Sequence, residues 1–330
     1  MPTYSVIFPQ APLRIHELVR YADLVEATGA QRLWQGQTLA VDPHTAFAAV
    51  AGAGRRIPLG TAVTLMAQRH PAEAALQART LARLTGCSVV AGVGPGGAEY
   101  QRRFLPEAYP RVLRASREYV RTMRVLLDGG VPGHGADFHA DHAIAPLTSP
   151  AVEIGLGVLR EGMAGVAGEV ADVALTWLAP PAYLRERLVP AVARGARRRG
   201  REKPRVVALV PVVLAGPGRD PERYLLAGNG GHLSQPHYRT MLQQAGVALP
   251  DGLKGCAGPM THAGAFVFGD DADVRRAMAA YAQAGVDEVV LSLAAVHHLE
   301  GCDSALEDLA HLLRLLAPAD QPSRSVSSTR

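Results

Sequence analysis

The chain has 330 residues, of which 48% are hydrophobic and 19% charged, a composition typical of a globular protein with a large buried core. Its three cysteines are scattered, odd in number and without paired metal spacing, so we expect neither a disulfide framework nor a metal site. No apolar run approaches the roughly 18–20 residues of a membrane helix, and the first residues lack a basic leader. The prediction is therefore a cytoplasmic protein without membrane contact.

The net charge of +4 comes largely from arginine, and part of it lies in one run at 194–203. Such a run is typical of a solvated helix end before the next strand. No aromatic residues are interleaved that could stack on bases, so no nucleic-acid partner is expected. An anionic small-molecule partner remains a second interpretation on charge alone.

Apolar runs and helical periodicities alternate along the chain. The runs predict strands at 4–8, 32–34, 57–65, 89–93, 152–156, 173–177 and 205–214, a candidate seventh strand at 265–268, and the eighth strand at 288–293. Helices are predicted from 15 to Gly29 and at 44–53, 71–84, 111–127, 163–169, 184–198, 274–284 and 304–316.

Three segments interrupt this alternation. Residues 128–150 are rich in Gly, His, Pro and Asp, which predicts a loop or a short hairpin. Residues 216–262 are predicted to form an irregular insert with short helices at 221–228 and 236–245. The polar residues 318–330 are predicted to be disordered, which leaves 1–317 as a single domain.

Repeated βα units indicate a parallel sheet, and eight of them favour a closed (β/α)₈ TIM barrel with insertions at its mouth. A Rossmann fold would need its glycine fingerprint after the first strand, whereas the glycine-rich turn at 92–97 follows the fourth. In a barrel the active site lies at the carboxyl ends of the strands. Those ends are small, neutral and glycine-rich, with no catalytic triad and no facing carboxylates, which suits a site that holds a planar cofactor closely.

The turn after the predicted fifth strand is the best candidate for a phosphate seat. Gly157, Val158, Leu159 and Arg160 lead directly into a predicted helix. Free N–H groups at a helix start, together with an arginine, attract a phosphate. An ordinary βα turn is the alternative interpretation of this segment.

Several stretches resemble the luciferase-like monooxygenase superfamily, and within it the deazaflavin-dependent branch similar to methylenetetrahydromethanopterin reductases. The matching stretches are LWQGQ at 33–37, IPLGTAV at 57–63, RHP at 69–71, GVG at 92–94, GEVADV at 168–173, WLAPP at 177–181, PHYRTML at 236–242 and AGVD at 284–287. Their order and spacing cover residues 4 to about 316.

The resemblance implies a cofactor and the residues around it. It implies coenzyme F420, with FMN as the alternative, and a homodimer. A non-proline cis peptide at Ala62–Val63 would back the ring, the turn at Gly157–Arg160 would hold the phosphate, and Gly92–Gly94 would pass beside the ring. The predicted cofactor-binding residues are Gln37, Ala62, Val63, Thr64, Val93, Gly94, Gly157, Val158, Leu159, Arg160 and Trp177.

The chain departs from the family pattern at two places. Many relatives carry an acidic residue and a histidine after the second strand, where this chain has Gly36 and Gln37. Gln37 can still hydrogen-bond a cofactor or substrate, but a proton donor would have to come from elsewhere. Before the fourth strand, Thr85-Gly86-Cys87-Ser88 replaces the Ser-Gly-Gly-Arg usual in the family, so this chain lacks an arginine there.

The histidines of the insert are the candidate proton donors. His232 and His237 lie in the segment that would cover the barrel mouth, and with Gln37 they are the candidate catalytic residues. The prediction is an F420-dependent oxidoreductase that transfers a hydride to or from a small organic substrate, with C=N or activated C=C reduction preferred. An FMN-dependent monooxygenase using O₂ is the alternative, and a barrel that only binds a ligand is the third hypothesis.

Overall fold

Eight parallel strands form the centre of the molecule in a computed structural model that describes residues 2–9 and 11–317. The strands are β1 (Thr3–Phe8), β2 (Leu33–Gln35), β3 (Leu59–Thr61), β4 (Val89–Gly94), β5 (Val152–Gly157), β6 (Val173–Trp177), β7 (Arg205–Leu214) and β8 (Glu288–Ser292). Each pairs with its neighbours, and β8 pairs back onto β1, with Leu291 opposite Val6. The sheet is therefore a closed barrel, as predicted.

Helices cover the outside of the barrel between successive strands. They are α1 (Ile15–Thr28), α2 (Pro43–Gly52), α3 (Pro71–Thr85), α4 (Val112–Leu127), α5 (Glu161–Val170), α6 (Pro181–Tyr183, a π-helical stretch Leu184–Leu188, and Val189–Arg197), α7 (Asp271–Gln283) and α8 (Cys302–Leu316). Gly29 and Gly86 end α1 and α3 in the left-handed conformation, for which glycine pays no steric penalty. The predicted (β/α)₈ architecture is confirmed, whereas the predicted disorder of 318–330 lies outside the described residues.

Two strand predictions need correction. The predicted strand 57–65 is divided into Leu59–Thr61 and Thr64–Leu65, because the chain bulges at Ala62–Val63. The seventh barrel strand is β7 itself, and the candidate at 265–268 is instead an extra strand, Val267–Gly269. The ten residues of β7 are long enough to pair with β8 along Val207–Pro211 and with Val267–Gly269 along their last three residues.

The irregular segments contain more structure than their composition indicates. Within the insert the helices are Pro221–Leu233, Pro236–Gln244 and Ala257–His262, and a further helix, Ala294–Glu300, follows β8 directly. Residues 128–150 were predicted to form either a loop or a short hairpin. The structure has the hairpin, formed by Gly133–His134 and His139–Ala140. Short helical turns occur at Ala98–Gln101 and Met66–Gln68.

The core has two parts, one inside the barrel and one between the strands and the helices. The inner part is small and consists of Ile7, Trp34, Val90, Val173, Leu175, Val207, Leu209 and Val290. Ala62, Val63 and Trp177 pack against its upper end, nearest the carboxyl ends of the strands. Because side chains alternate along a strand, these residues show which positions of each strand face inward.

A buried carboxylate closes the opposite, amino-terminal end of the barrel. Glu288 is fully buried and accepts hydrogen bonds from Ser5 Oγ at 2.6 Å and from Trp34 Nε1 at 2.8 Å. Arg205 donates to its other oxygen at 3.0 Å, and Arg32 Nε lies 3.6 Å away. The charge is thus compensated on several sides, as a buried carboxylate requires.

The stretch 168–173, part of the family resemblance, has a structural role. A Cβ on Gly168 would lie 2.1 Å from the carbonyl oxygen of Val192, so glycine allows α5 and α6 to pack closely. The Asp172 carboxylate accepts from the backbone N–H of Ile154 at 2.7 Å and pairs with Arg201. The arginine run at 194–203 is therefore partly engaged in surface ion pairs at the end of α6, as predicted for a solvated helix end. None of the helices within 2–9 and 11–317 has the length and apolar character that crossing a membrane requires.

Candidate active site

The bulge after β3 and two glycines form one side of the barrel mouth. The peptide bond between Ala62 and Val63 is cis, as the resemblance implied. A Cβ on Gly94 would lie 2.9 Å from Val63 Cγ2, and a Cβ on Gly157 would lie 3.3 Å from Val63 Cγ1. Glycine at both positions therefore leaves room for the Val63 side chain, so the bulge packs directly against the backbones of β4 and β5 at the mouth.

The turn from β5 into α5 presents unsatisfied hydrogen-bond donors. Arg160 occupies the N-cap position of α5, and no side chain caps this helix, in contrast to α2 and α7, which Asp42 and Asp270 cap. The Arg160 side chain pairs with no carboxylate among the residues that the structure describes. An uncapped helix start with an adjacent unpaired arginine is suited to bind a phosphate.

Aromatic side chains line the other side of the mouth. Trp177, at the end of β6, packs against the inner core, and His232 from the insert stacks on it with ring centroids 5.1 Å apart. Tyr238 contacts both His232 and His237, and the His237 ring would lie 3.2 Å from a Cβ on Gly97. The insert thus reaches across the mouth from β7 to the loop after β4.

Both insert histidines are shifted toward their neutral form. Burial, followed by repulsion from His237, lowers the pKa of His232 to about 4. Burial and then the positive charge of Arg160 lower the pKa of His237. Neither ring makes a hydrogen bond to any other described residue, so each neutral imidazole keeps one free N–H donor and one free acceptor.

The shifted pKa of His232 predicts a loss of stability in weak acid. An unfolded chain takes up a proton near pH 6.5 that the folded protein accepts only near pH 4, so stability is highest above pH 6.5 and falls below it. The expected contribution of His232 is a loss of about 1–2 kcal/mol between pH 7 and pH 5. Urea unfolding of the wild type and of His232→Phe at both pH values measures it.

His16, exposed on α1, offers a matched control for that measurement. His232→Phe keeps an aromatic ring against Trp177, so it should reduce the pH dependence, whereas His16→Gln should leave it unchanged. Equal pH dependence in the wild type and His232→Phe would show that His232 titrates at its ordinary pKa in the folded protein.

Gln37 is held at both ends of its carboxamide. Its Nε2 donates to the Thr38 carbonyl at 2.7 Å, and its Oε1 accepts from Arg69 at 2.8 Å. Arg69 also pairs with Asp42. Burial raises the pKa of that carboxyl, but the nearby His44, the Thr45 backbone N–H and Arg69 together hold it well below its usual range. Gln37 is therefore firmly positioned, with one N–H left for a ligand.

Gln37 and Arg69 also line an open cleft of about 610 Å³. Thr38, Asp42, Gln68 and Phe104 complete much of its wall, so it combines polar and apolar surface. The Gln37 backbone N–H donates to the Val63 carbonyl at 3.3 Å, which places this cleft next to the bulge at the mouth.

The remaining predicted cofactor residues differ in what they can offer. Val93 and Val158 point their side chains into the outer core, so only their backbones face the mouth. The Thr64 hydroxyl donates to the Gly92 carbonyl at 3.2 Å, and Leu159 is half-buried beside Tyr183.

Two polar groups near the mouth were not among the predicted catalytic or cofactor-binding residues. Ser292 ends β8 at an inward-facing position, is 2% exposed, and its hydroxyl has no partner in the described part of the chain. The Arg69–Asp42 pair was also missed, although the RHP stretch at 69–71 was part of the resemblance. Across the described ranges, no cluster of three or more His, Cys, Asp or Glu side chains is placed to hold a metal ion.

Comparison with known proteins places this geometry in a family. Residues 4–288 match the sequence profile of the luciferase-like monooxygenases. The chain belongs to this family. As a luciferase-like protein it is an enzyme of the oxidoreductase class.

Individual relatives of this luciferase-like protein share only about a quarter of their residues with it. A Mycobacterium tuberculosis protein, provisionally named a coenzyme F420-dependent oxidoreductase, is 26% identical over 223 residues, which are 62% of this chain and 63% of that protein. The chain thus aligns with less than two thirds of that relative's length.

Solved structures share the fold at low identity. An F420-dependent secondary alcohol dehydrogenase superposes with a TM-score of 0.76 at 18% identity, covering 94% of this chain and 99% of that one. The coenzyme F420-dependent tetrahydromethanopterin reductase of Methanopyrus kandleri gives 0.71 at 20% identity, covering 94% and 97%. The FMN-containing 3,6-diketocamphane monooxygenase of Pseudomonas putida gives 0.68 at 18% identity, covering 97% of each chain.

Proposed function

We propose that this luciferase-like protein is an F420-dependent oxidoreductase that transfers a hydride between the deazaflavin and a small organic substrate, with C=N or activated C=C reduction preferred. The observation that carries the proposal is the combination of the Val63 bulge, packed on Gly94 and Gly157 at the barrel mouth, with an uncapped helix start at Arg160. The first fits a planar tricyclic ring, and the second fits a phosphate on its side chain.

The bound deazaflavin would supply the hydride, and the chain would supply binding and orientation. Val63, Gly94 and Gly157 would support one face of the ring, while the N–H groups at the start of α5 and Arg160 would hold the phosphate. Trp177 and His232 would exclude water from the other side of the mouth.

The family comparisons support a deazaflavin without excluding FMN. The M. tuberculosis relative and two of the solved structures are F420-dependent by name, whereas the P. putida structure contains FMN. FMN carries the same kind of planar ring and a phosphate, so the proposed binding site fits both cofactors.

Fluorescence titration of the purified protein against coenzyme F420 and FMN tests the proposal. We expect the deazaflavin to bind at least ten times more tightly than FMN, which would justify a screen of imines and enones as hydride acceptors. A preference for FMN would instead indicate the monooxygenase. Binding of neither would contradict both and favour a barrel that has lost its cofactor.

The same proposal includes a cytoplasmic homodimer that acts on a small molecule, with residues 1–317 as one folding unit. The homodimer is usual in the family that the sequence resembles. Light scattering after gel filtration gives the mass of the assembly in solution directly, and a monomer would contradict this part of the proposal.

A further inference from the structure

The residues that directly follow the barrel strands carry a positive charge but no negative charge. The three residues that follow each of the eight barrel strands include no aspartate or glutamate, and Arg160 is the single charged residue among them. Carboxylates that follow soon after these strand ends in the chain have partners. Asp42 pairs with Arg69, Glu161, which follows Arg160, pairs with Arg187, and Glu99, in the loop after β4, pairs with Arg103 at 3.6 Å.

The carboxylates of the insert are also directed elsewhere. The Asp220 side chain accepts from the backbone N–H of Arg223 and so caps its own helix. The Glu222 side chain accepts from the backbone N–H groups of Gly255 and Ala257, at 2.8 and 3.0 Å, and Asp251 is exposed. Apart from the exposed Asp251, the carboxylates of the rim and the insert that the structure describes all have partners, which leaves no free anion there to stabilise a cationic ligand.

Hydrogen-bond donors without partners are present at the same place. The indole N–H of Trp177 is buried and makes no hydrogen bond within the described chain. His232 stacks on that indole with both ring nitrogens unbonded, and it is neutral because burial lowers its pKa. Ser292, two strands away on β8, adds a buried hydroxyl without a partner among the described residues.

We propose that the acceptor is an uncharged carbonyl compound, either a ketone, an aldehyde or an α,β-unsaturated carbonyl, and that the N–H groups of Trp177 and His232 bind its oxygen. This inference rests on the proposed function, because it takes reduced deazaflavin as the hydride source. It selects the activated C=C of an enone, or C=O itself, over the C=N of an imine.

The movement of electrons during hydride addition explains why this site favours a carbonyl compound over an imine. When a hydride adds to a carbonyl carbon or to the β-carbon of an enone, the π electron pair moves onto the oxygen. That oxygen gains a negative charge, and one proton from water then completes the reduction. Unpaired N–H donors in a water-poor site stabilise this developing charge. A protonated imine is a cation before the hydride arrives, and it would enter this mouth without a counter-ion.

A phenol tests the oxyanion site without any cofactor. Bound 4-nitrophenol reports its own ionisation by its absorbance, and its phenolate mimics a carbonyl oxygen that carries negative charge. We expect the apo protein to bind 4-nitrophenolate at least ten times more tightly than benzylammonium, and to lower the pH at which the bound phenol ionises. Equal or reversed affinities would overturn the inference.

Three variants separate this site from the phosphate seat. Trp177→Phe removes the indole N–H but keeps the ring against His232, and His232→Phe removes the imidazole N–H. Each should weaken phenolate binding about 5- to 10-fold, as expected for one lost hydrogen bond, with the melting temperature changed by only a few degrees. Arg160→Gln removes a positive charge of the rim but neither N–H donor, so it should weaken phenolate binding less than either of these variants. Loss of binding in Arg160→Gln alone would place the phenolate at the phosphate seat and contradict the inference.

The loaded enzyme gives the final comparison. With reduced deazaflavin bound, cyclohexenone should be reduced and the cyclic imine 1-pyrroline should not, and reduction of the imine alone would refute the inference. The two proposals fail differently. Failure of the wild type to bind deazaflavin overturns the proposed function, whereas the phenol experiment tests the oxyanion site in the apo protein.

Discussion

Replacing Glu288 by alanine is expected to lower the free energy of unfolding by about 3–5 kcal/mol, the usual cost of removing one partner from a buried charged network. Glu288 is fully buried at the amino-terminal end of the barrel, where Ser5, Trp34 and Arg205 all donate to it. Without the carboxylate, the Trp34 N–H loses its acceptor, and Arg32, which is 2% exposed, loses a neighbouring counter-charge. Urea unfolding at pH 7 measures the change.

Glu153 provides the matched control for this network. It also pairs with Arg205, at 2.8 Å, but its side chain is 30% exposed, so Glu153→Ala should cost at most about 1 kcal/mol. Glu288→Gln keeps the shape and one acceptor oxygen, so its cost should lie between the two. A Glu288→Ala variant no less stable than Glu153→Ala would contradict this account of the network.

The barrel was predictable because its strands are buried on both faces. In the run 205–214 every residue after Arg205 is apolar and five of the ten are valine, which is the pattern of a strand between two apolar layers. A continuous apolar run does not show where a strand is interrupted. The run 57–65 reads as one strand, yet it bulges at Ala62–Val63, and only the family resemblance pointed to this position.

Helices without local signals were not predicted. Ala294–Glu300 follows β8 after a single residue and has no side-chain N-cap. Its Ala295 packs against Gly228 of the insert helix Pro221–Leu233, with a distance of 3.0 Å from the Ala295 backbone nitrogen to a Cβ placed on Gly228. Tertiary packing therefore stabilises this helix, and a short window of sequence does not contain that information.

The candidate site could be predicted only in part for a similar reason. Strand ends follow from the order of the elements, so Gly94, Gly157 and Trp177 were expected at the mouth. His232 stacks on Trp177, and Arg69 donates a hydrogen bond to Gln37. Both contacts join residues far apart in sequence, so a local pattern does not predict them. The place of Ser292 at the end of the eighth strand follows from the order of the elements, whereas its burial without a partner among the described residues does not. The roles of all these residues toward a cofactor stay predictions.

Replacing Arg160 by glutamine is expected to weaken the binding of both coenzyme F420 and FMN by about 10- to 100-fold, because a charge-assisted hydrogen bond to phosphate contributes about 1.5–3 kcal/mol. Arg160 pairs with no carboxylate in the described ranges, so its loss removes no stabilising contact and the melting temperature should change little. Fluorescence titration at low salt measures the affinity, and the wild-type affinity should fall as salt is added.

Riboflavin separates a phosphate contact from a structural effect, because it carries the flavin ring without the phosphate. Arg160→Gln should bind riboflavin as the wild type does, while it loses affinity for FMN. As a matched surface control, Arg185→Gln on α6 removes an exposed arginine that pairs with Glu186, and it should leave both affinities unchanged. An equal loss for riboflavin and FMN in Arg160→Gln would mean that the arginine orders the turn after β5. The phosphate would then depend on the N–H groups of α5 alone, and the Val63 bulge packed on Gly94 and Gly157 would become the main determinant of cofactor binding.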